Sequence, residues 1–283
     1  RLGMAFNIIP QWNPLRFAED FATLHNISGG RAILGVGRGT VPREAETLGT
    51  KIGSFDNPSQ VEADDLNRQQ FDEAMQVIQM ALDQETFAFH GEIYDFPPPG
   101  IPDRGGTVKE LTLVPRPLYP YETWQAITSP PTLEQVPRRG WGGVFWNNHP
   151  TFLTERWSRF AEVYEEAHGR ELARGEKRML VLCTRVEDTR EEAVEKLRPG
   201  HDEFWKFLGP YGWSKGYMGP DGAPAPAGTE DVGARRSASS RKERSCCSLR
   251  FASSLCAQIG GDRARPKGGP RGVVELGEGA SAA

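Results

Sequence analysis

One arginine and two hydroxyl residues carry the clearest chemical signal in the chain, because each follows a short apolar stretch. Arg38 follows the apolar stretch 32–36, and Ser129 and Thr132 follow the apolar stretch 124–127. An arginine guanidinium can donate two parallel hydrogen bonds to one phosphate group. Hydroxyl and backbone N–H groups at the start of a helix also bind anions. These residue types and positions therefore predict a phosphate-binding site.

Ordinary structural roles are the alternatives for these residues. Arg38 could form a surface ion pair with Glu44 or Glu46. Ser129 could simply cap the helix that follows it, although capping and anion binding are compatible. Thr128 precedes Ser129 and adds a third hydroxyl group to the same turn. We therefore assign Thr128 to the candidate site as well.

The glycines around Arg38 do not form a common nucleotide-binding motif. The dinucleotide motif G-x-G-x-x-G would require glycine at the position of Thr40, and a helix should follow directly. Here a polar loop extends to about Pro58 instead, and no P-loop pattern occurs in the chain. Glycines at the end of a strand still allow the backbone to approach a ligand closely.

The histidine and cysteine patterns predict no metal centre. The chain has five His and four Cys, but neither a His-Glu-x-x-His nor a Cys-x-x-Cys pattern occurs. His149 follows a predicted strand and could face the same edge as Arg38, although a position at a helix start is the commoner role. His25 ends a predicted helix and is expected to be exposed. Cys183 is the one cysteine before residue 233, which is typical of a protein in a reducing cytoplasm.

Alternating strands and helices must position the candidate residues. Apolar runs predict strands, and helical spacing of apolar residues predicts helices. The predicted strands span residues 2–9, 32–36, 124–128, 143–146 and 178–186. The predicted helices span residues 13–28, 59–82, 131–139, a stretch from 150 onward and 189–197, and a hairpin covers 87–96. Five strand–helix units in series imply a parallel sheet, either a (β/α) barrel or a doubly wound sheet.

Charge and composition divide the chain near residue 232. Residues 233–283 hold ten Lys and Arg against four Asp and Glu, whereas residues 1–232 carry a net charge of −10. The C-terminal part is rich in Gly, Ala and Ser. We therefore expect residues 1–232 to form the folded domain and residues 233–283 to form a disordered, low-complexity basic tail. The acidic domain gives no reason to expect nucleic acid as a partner, and no stretch is apolar enough to span a membrane.

The N-terminal part of the chain resembles the bacterial luciferase-like family of flavin-dependent oxidoreductases. The resemblance is strong over residues 8–40 and extends to about residue 230. The matching segments are Ile9-Pro10, Asn13-Pro14, the helix that follows them, Ser28–Arg31, Gly35–Gly39, Gly49, the long helix with Phe71, and the hairpin 89–94. The family fold is a (β/α)8 TIM barrel, so the resemblance selects a barrel over an open sheet.

The resemblance also implies which residues hold a flavin phosphate. It places Arg38 against the phosphate group and assigns a second arginine contact to Arg68, in the first turns of the long helix. Ser129 and Thr132 match the family segment that supplies further contacts. This placement departs from the commoner barrel phosphate site after the seventh and eighth strands.

The position of Arg68 supports its assignment independently of the resemblance. Arg68 shares a helix face with Phe71, which directs it inward. A cation near a helix N-terminus is unfavourable unless an anion is close. An ion pair with Asp64, Asp65 or Asp72 is the alternative for Arg68.

The family resemblance implies a luciferase-like monooxygenase that uses reduced FMN and O₂ on a small organic substrate. A separate flavin reductase would supply the reduced FMN, and a homodimer is left open. An oxidoreductase that uses the deazaflavin F420 is the first alternative, because that coenzyme also carries a phosphate group. A non-catalytic truncated relic is the second alternative. The sequence does not identify the substrate.

The resemblance further implies that the barrel is incomplete, with about five of eight strand–helix units. It aligns residues 2–9 with the third family strand, and the family's catalytic histidine lies on the second strand. No catalytic residue is therefore assigned in this chain. The composition of residues 233–283 is typical of an out-of-frame reading of a GC-rich gene. We therefore expect a truncated gene product, with a frameshift as the hypothesis for the origin of these residues.

Overall fold

The computed structural model describes residues 1–52, 61–146, 150–181 and 184–211. Within these ranges the α-helices are Pro14–Ile27 (α1), Pro42–Thr47 (α2), Val61–Asp83 (α3), Pro130–Arg138 (α4), Pro150–His168 (α5) and Arg190–Leu208 (α6). The strands are Leu2–Gly3 (β1), Asn7–Ile8 (β2), Ala32–Gly37 (β3), Phe89–His90 (β4), Asp95–Phe96 (β5), Pro102–Asp103 (β6), Gly106–Thr107 (β7), Thr123–Ala126 (β8), Gly142–Trp146 (β9) and Arg178–Val181 (β10). None of the described helices is long and apolar enough to cross a membrane.

One parallel sheet organises the described part of the chain. β1 and β2 both pair with β3, and the order then continues through β8, β9 and β10. This order follows the chain without reversal, whereas a doubly wound sheet reverses its order at a switch point. The predicted parallel sheet is therefore confirmed, and its order is that of a (β/α) barrel. Two antiparallel hairpins, β4–β5 and β6–β7, lie in the connection between α3 and β8.

The first predicted strand is interrupted by one extra residue. Gly3 pairs with Ile33, but Asn7 pairs with Val36, so three residues on the first strand oppose two on β3. This offset is a β-bulge. A Cβ atom at Gly35 would lie 1.8 Å from the Met4 carbonyl oxygen, so the bulged backbone is accommodated only because residue 35 is glycine.

Helices cover one face of the sheet and form the main core with it. Leu34 and Val36 of β3 belong to the same buried cluster as the apolar face of α3. Phe145 of β9 contacts Phe160 of α5 with ring centroids 6.0 Å apart. The buried face of α3 consists of the residues expected from helical spacing: Phe71, Ala74, Met75, Ile78, Ala81 and Leu82. The carboxyl end of β3 lies beside the first turns of α3, because Arg38 contacts Asp64, and the chain passes directly from β8 into α4.

Several predicted boundaries differ from the structure. The loop after β3 contains the short helix α2, which begins at Pro42. Strand β10 ends at Val181 rather than at residue 186, and α6 extends to Leu208 rather than to residue 197. The 3₁₀ turn Ile9–Gln11 replaces the end of the first predicted strand. His149, Cys183 and residues 233–283 lie outside the described residues, so the expected tail stays a prediction.

Candidate functional site

Arg38 lies directly after the carboxyl end of β3, and its guanidinium turns toward the first turns of α3. Its Nη1 atom donates to Asp64 Oδ1 at 3.1 Å, to Asn67 Oδ1 at 3.2 Å and to the Asp64 carbonyl oxygen at 3.4 Å. The side chain is 17% exposed, so the positive charge is mostly removed from water. Among the described residues, neither Glu44 nor Glu46 forms the ion pair considered for Arg38.

Arg68 reaches the same carboxylate from within α3. Its Nη2 atom donates to Asp64 Oδ2 at 3.3 Å, one helical turn away, and its side chain is 26% exposed. The ion pair with Asp64 considered for Arg68 is therefore present. One carboxylate bridges two guanidinium groups, which leaves these three side chains with a net charge of +1. We call Arg38, Asp64 and Arg68 the arginine cluster.

Asn67 holds the arginine cluster to the loop after β3. Its side chain is 1% exposed, and its Nδ2 atom donates to the carbonyl oxygens of Arg38 at 3.3 Å and Lys51 at 3.1 Å. The sequence interpretation did not find Asn67. Its spacing from Asp64 and Phe71 on the inward face of the helix is the signal that could have identified it.

In the turn before α4, the hydroxyl groups of Ser129 and Thr132 lie within hydrogen-bond distance of each other. Ser129 has an extended backbone and makes no side-chain capping bond, so the simple capping role is not observed. Its Oγ atom lies 2.9 Å from Thr132 Oγ1, and Thr132 is buried whereas Thr128 is exposed. Pro130 and Pro131 lack N–H groups, so the first helical turn offers an anion few backbone donors. Binding here would depend mainly on the hydroxyl groups.

The arginine cluster and the Ser129 turn follow neighbouring strands. Val36 of β3 pairs with Gln125 of β8 in parallel, so Arg38 and Ser129 both lie beyond the carboxyl ends of their strands. In parallel α/β proteins this edge of the sheet is where ligands bind. The structure thus brings Arg38 and Arg68 to one carboxylate and places Ser129 and Thr132 after the adjacent strand. A half-buried positive cluster at this edge of the sheet can bind an anion, and the Ser129 and Thr132 hydroxyl groups, which pair with each other, follow the neighbouring strand.

His25 differs from its sequence expectation. It was expected to be exposed at the end of a helix, but it is fully buried in α1. Its Nε2 atom lies 3.2 Å from the carbonyl oxygens of Tyr119 and Pro120. The segment 114–121 crosses the end of α1 and covers His25, a long-range contact that the local sequence does not encode.

A family model described as luciferase-like monooxygenase matches residues 1–245. The chain belongs to this family. The match contains all the described residues and therefore the whole parallel sheet and both parts of the candidate site. No curated protein sequence is significantly similar to the chain.

Solved structures of monooxygenases and of F420-dependent enzymes have a similar fold. The monooxygenase RslO1 from Streptomyces bottropensis has a TM-score of 0.59 at 21% identity, over 75% of this chain and 58% of that one. The FMN complex of the oxygenating constituent of 3,6-diketocamphane monooxygenase, from a Pseudomonas putida plasmid, has a TM-score of 0.54 at 17% identity, over 76% and 58%. An F420-dependent secondary alcohol dehydrogenase has a TM-score of 0.53 at 20% identity, over 69% and 53%.

These likenesses confirm the predicted barrel-type fold of the chain. The sheet of this luciferase-like protein curls as part of a barrel, and the chain spans a little over half the length of the solved structures that it matches. The neighbours are oxidoreductases of the same general kind, some with FMN and some with F420 in their descriptions.

Proposed function

We propose that this luciferase-like chain binds the phosphate group of reduced FMN and takes part in the oxygenation of a small organic substrate by O₂. The supporting observation is the net positive charge of the arginine cluster, two guanidinium groups that share one carboxylate at the ligand-binding edge of the sheet. A phosphate group would neutralise this charge with charge-assisted hydrogen bonds.

The donors of the arginine cluster suit a phosphate group. Only the Nη1 atom of Arg38 has hydrogen-bond partners among the described residues, so its Nε and Nη2 atoms are available for a two-pronged contact. Ser129 and Thr132 would add hydroxyl donors from the neighbouring strand end. When bound, the reduced flavin would supply the electrons that activate O₂.

The chain's own residues would mainly bind and orient the cofactor. Asn67 fixes the loop that carries Arg38, so the guanidinium is held in place before a ligand arrives. Preorganised donors bind an anion more tightly, because less side-chain freedom is lost on binding. A flavin reductase as supplier of reduced FMN, and a homodimeric assembly, remain part of this proposal.

Replacing Arg38 tests the phosphate contact. We expect Arg38→Ala to weaken FMN binding roughly ten- to a hundredfold, the cost of about 1.5–3 kcal/mol for losing a charged hydrogen-bond partner. Riboflavin lacks the phosphate group, so its affinity should change little. Arg38→Lys should recover only part of the loss, because an ammonium group cannot form the planar two-pronged contact. Titration followed by flavin fluorescence measures all three affinities.

Arg31→Ala is the matched control, because Arg31 is exposed at the opposite end of the same strand region. It should leave the affinities for FMN and riboflavin unchanged. Equal losses for FMN and riboflavin in Arg38→Ala would assign Arg38 to the fold and would contradict the phosphate contact.

An F420-dependent oxidoreductase is the second candidate, because F420 also carries a phosphate group and F420-dependent enzymes share the fold. The arginine cluster does not distinguish the two cofactors. Parallel titrations of the chain with FMN and F420 distinguish them by affinity. A folded chain that binds neither cofactor would favour the non-catalytic alternative.

A further inference from the structure

Asp64 has a position that the phosphate contact alone does not explain. Its two carboxylate oxygens accept hydrogen bonds from different arginines, Oδ1 from Arg38 and Oδ2 from Arg68. Its carbonyl oxygen also lies 3.4 Å from Arg38 Nη1. No other carboxylate among the described residues pairs with either arginine. Asp64 therefore accepts hydrogen bonds from one nitrogen of each arginine, Nη1 of Arg38 and Nη2 of Arg68.

An anion that binds both arginines must share them with this carboxylate. Its negative charge would lie a few ångströms from that of Asp64, and like charges repel strongly where they are partly shielded from water. The side chains of the cluster are 17–33% exposed, so solvent screens this repulsion incompletely. A phosphate group then gains the attraction of two arginines but is repelled by Asp64.

We propose that Asp64 is an internal competitor for the phosphate-binding arginines and keeps the bound phosphate group exchangeable. This inference rests on the proposed function and assigns a specific role within that site. Under the proposed function a separate reductase delivers the reduced FMN, and a limited affinity would let the cofactor leave the site again. Asp64 acts through Arg38 and Arg68 and is a positioning residue, not a catalytic one.

The opposite role would be purely structural. If Asp64 served only to hold Arg38 and Arg68 in place, removing its charge would loosen both side chains and weaken phosphate binding. Asp64→Asn separates the two roles, because asparagine has nearly the same shape and keeps one oxygen acceptor. Asp64→Ser is a second variant that removes the charge with a shorter side chain.

Asp65→Asn is the matched control. Asp65 is the next residue on the same helical turn and is exposed, and its side chain forms no hydrogen bond or ion pair with another described residue. The substitution changes the net charge and the helix N-terminal charge by the same amount as Asp64→Asn. Any effect common to both variants is therefore a general charge effect.

The experiment titrates the full 283-residue chain with inorganic phosphate, FMN and riboflavin by calorimetry. We expect Asp64→Asn and Asp64→Ser to bind inorganic phosphate and FMN more tightly, with a change of roughly tenfold for the isosteric Asn variant. Riboflavin affinity should not change, and Asp65→Asn should match the unmodified chain. The affinity ratio of FMN to riboflavin is the readout that a merely structural role would not raise.

Unchanged or weaker phosphate and FMN binding by both Asp64 variants would overturn the inference. An equal gain in Asp65→Asn would also overturn it. If the unmodified chain bound FMN no more tightly than riboflavin, the proposed function would be wrong. The role of Asp64 would then be decided by the inorganic phosphate titrations alone.

Discussion

At the scale of single residues, His25 shows how a polar side chain is accommodated in the core. Its ring lies 5.5 Å from that of Phe21 and 6.4 Å from that of Tyr121. Because its Nε2 partners are carbonyl oxygens, which only accept, Nε2 must carry the proton. The Nδ1 atom is buried and has no partner among the described residues. His25 therefore joins α1 to the segment before β8.

Replacing His25 by alanine should destabilise the protein. The substitution removes a buried ring, leaves a cavity and leaves two carbonyl oxygens without this donor, so the expected loss is about 2–4 kcal/mol in the free energy of unfolding. His90→Ala is the control, because His90 is exposed and its pair with Asp95 lies at the surface, where such pairs contribute about 0–1 kcal/mol. Urea unfolding measures both, and equal losses would contradict the role assigned to His25.

Part of the candidate site could be predicted from residue types and their positions in the sequence. Arg38 and Arg68 were selected by their positions after a strand and early in a helix, and the structure does bring them together. Asp64 was considered only as a partner of Arg68, and Asn67 was not found. Their hydrogen bonds to Arg38 span 26 and 29 residues. Such contacts depend on the path of the loop after β3, which propensity and spacing do not determine.

At the scale of elements, Glu73 connects α3 to the β4–β5 hairpin. Its carboxylate accepts hydrogen bonds from the backbone N–H groups of Glu92, Ile93 and Tyr94. A Cβ atom at Gly91 would lie 2.3 Å from Glu73 Oε2, so a side chain at residue 91 would displace this carboxylate. Burial raises the pKa of Glu73, but the hydrogen bonds from Ile93, Tyr94, Glu92 and Gln69 outweigh this effect and lower the pKa below its ordinary value.

This lowered pKa predicts an acid-dependent stability. The ionised Glu73 stabilises the folded chain fully above the pKa of an unfolded glutamate, about 4.3, and this contribution is lost as the pH falls through the lower folded-state pKa. We expect Glu73→Gln to cost about 1–3 kcal/mol near neutral pH, because an amide cannot accept all three bonds. The variant should also lose less stability than the unmodified chain on acidification.

Glu85→Gln is the control for this prediction, because Glu85 is exposed just after α3. It should leave both the free energy of unfolding and its pH dependence nearly unchanged. Urea unfolding at a series of pH values measures the difference. A Glu73→Gln variant with the stability and pH dependence of the unmodified chain would contradict the role of this carboxylate.

Long periodic segments were the most predictable elements. Helical spacing located α1 and α3 within two residues at each end, and in the structure the Asn13 side chain caps α1. The bulge after β1 and the short helix α2 were not predicted. The bulge depends on a contact between segments, because Gly35 lies opposite Met4, whereas α2 begins at a local signal, Pro42. Local pattern therefore gave the order of the elements, and long-range packing set their interruptions.

At the scale of the whole molecule, the parallel sheet has two different kinds of strand. β3, β8 and β9 each pair on both sides, whereas β1 with β2 pairs only with β3, and β10 only with β9, within the described residues. The exposure of side chains differs between these two kinds of strand in the same way. Phe145 of β9 is fully buried, whereas Leu2 of β1 is 84% exposed and Met179 of β10 is 43% exposed. The helical crossovers predicted only that the sheet is parallel, and the family resemblance selected the barrel order over a doubly wound one.

This division predicts a gradient of amide protection across the sheet. Hydrogen-bonded amides in β3, β8 and β9 should exchange at least roughly tenfold more slowly than those in β1, β2 and β10, because central strands open only with the core and edge strands open locally. Mass-spectrometric hydrogen exchange, corrected for intrinsic rates, measures this difference, and the amides of α1 provide a packed internal reference. Protection of β1 and β10 equal to that of β8 would contradict the prediction. It would mean that these edges are covered in solution, by another part of the chain or by a second copy, because an exposed edge strand offers free backbone groups for pairing.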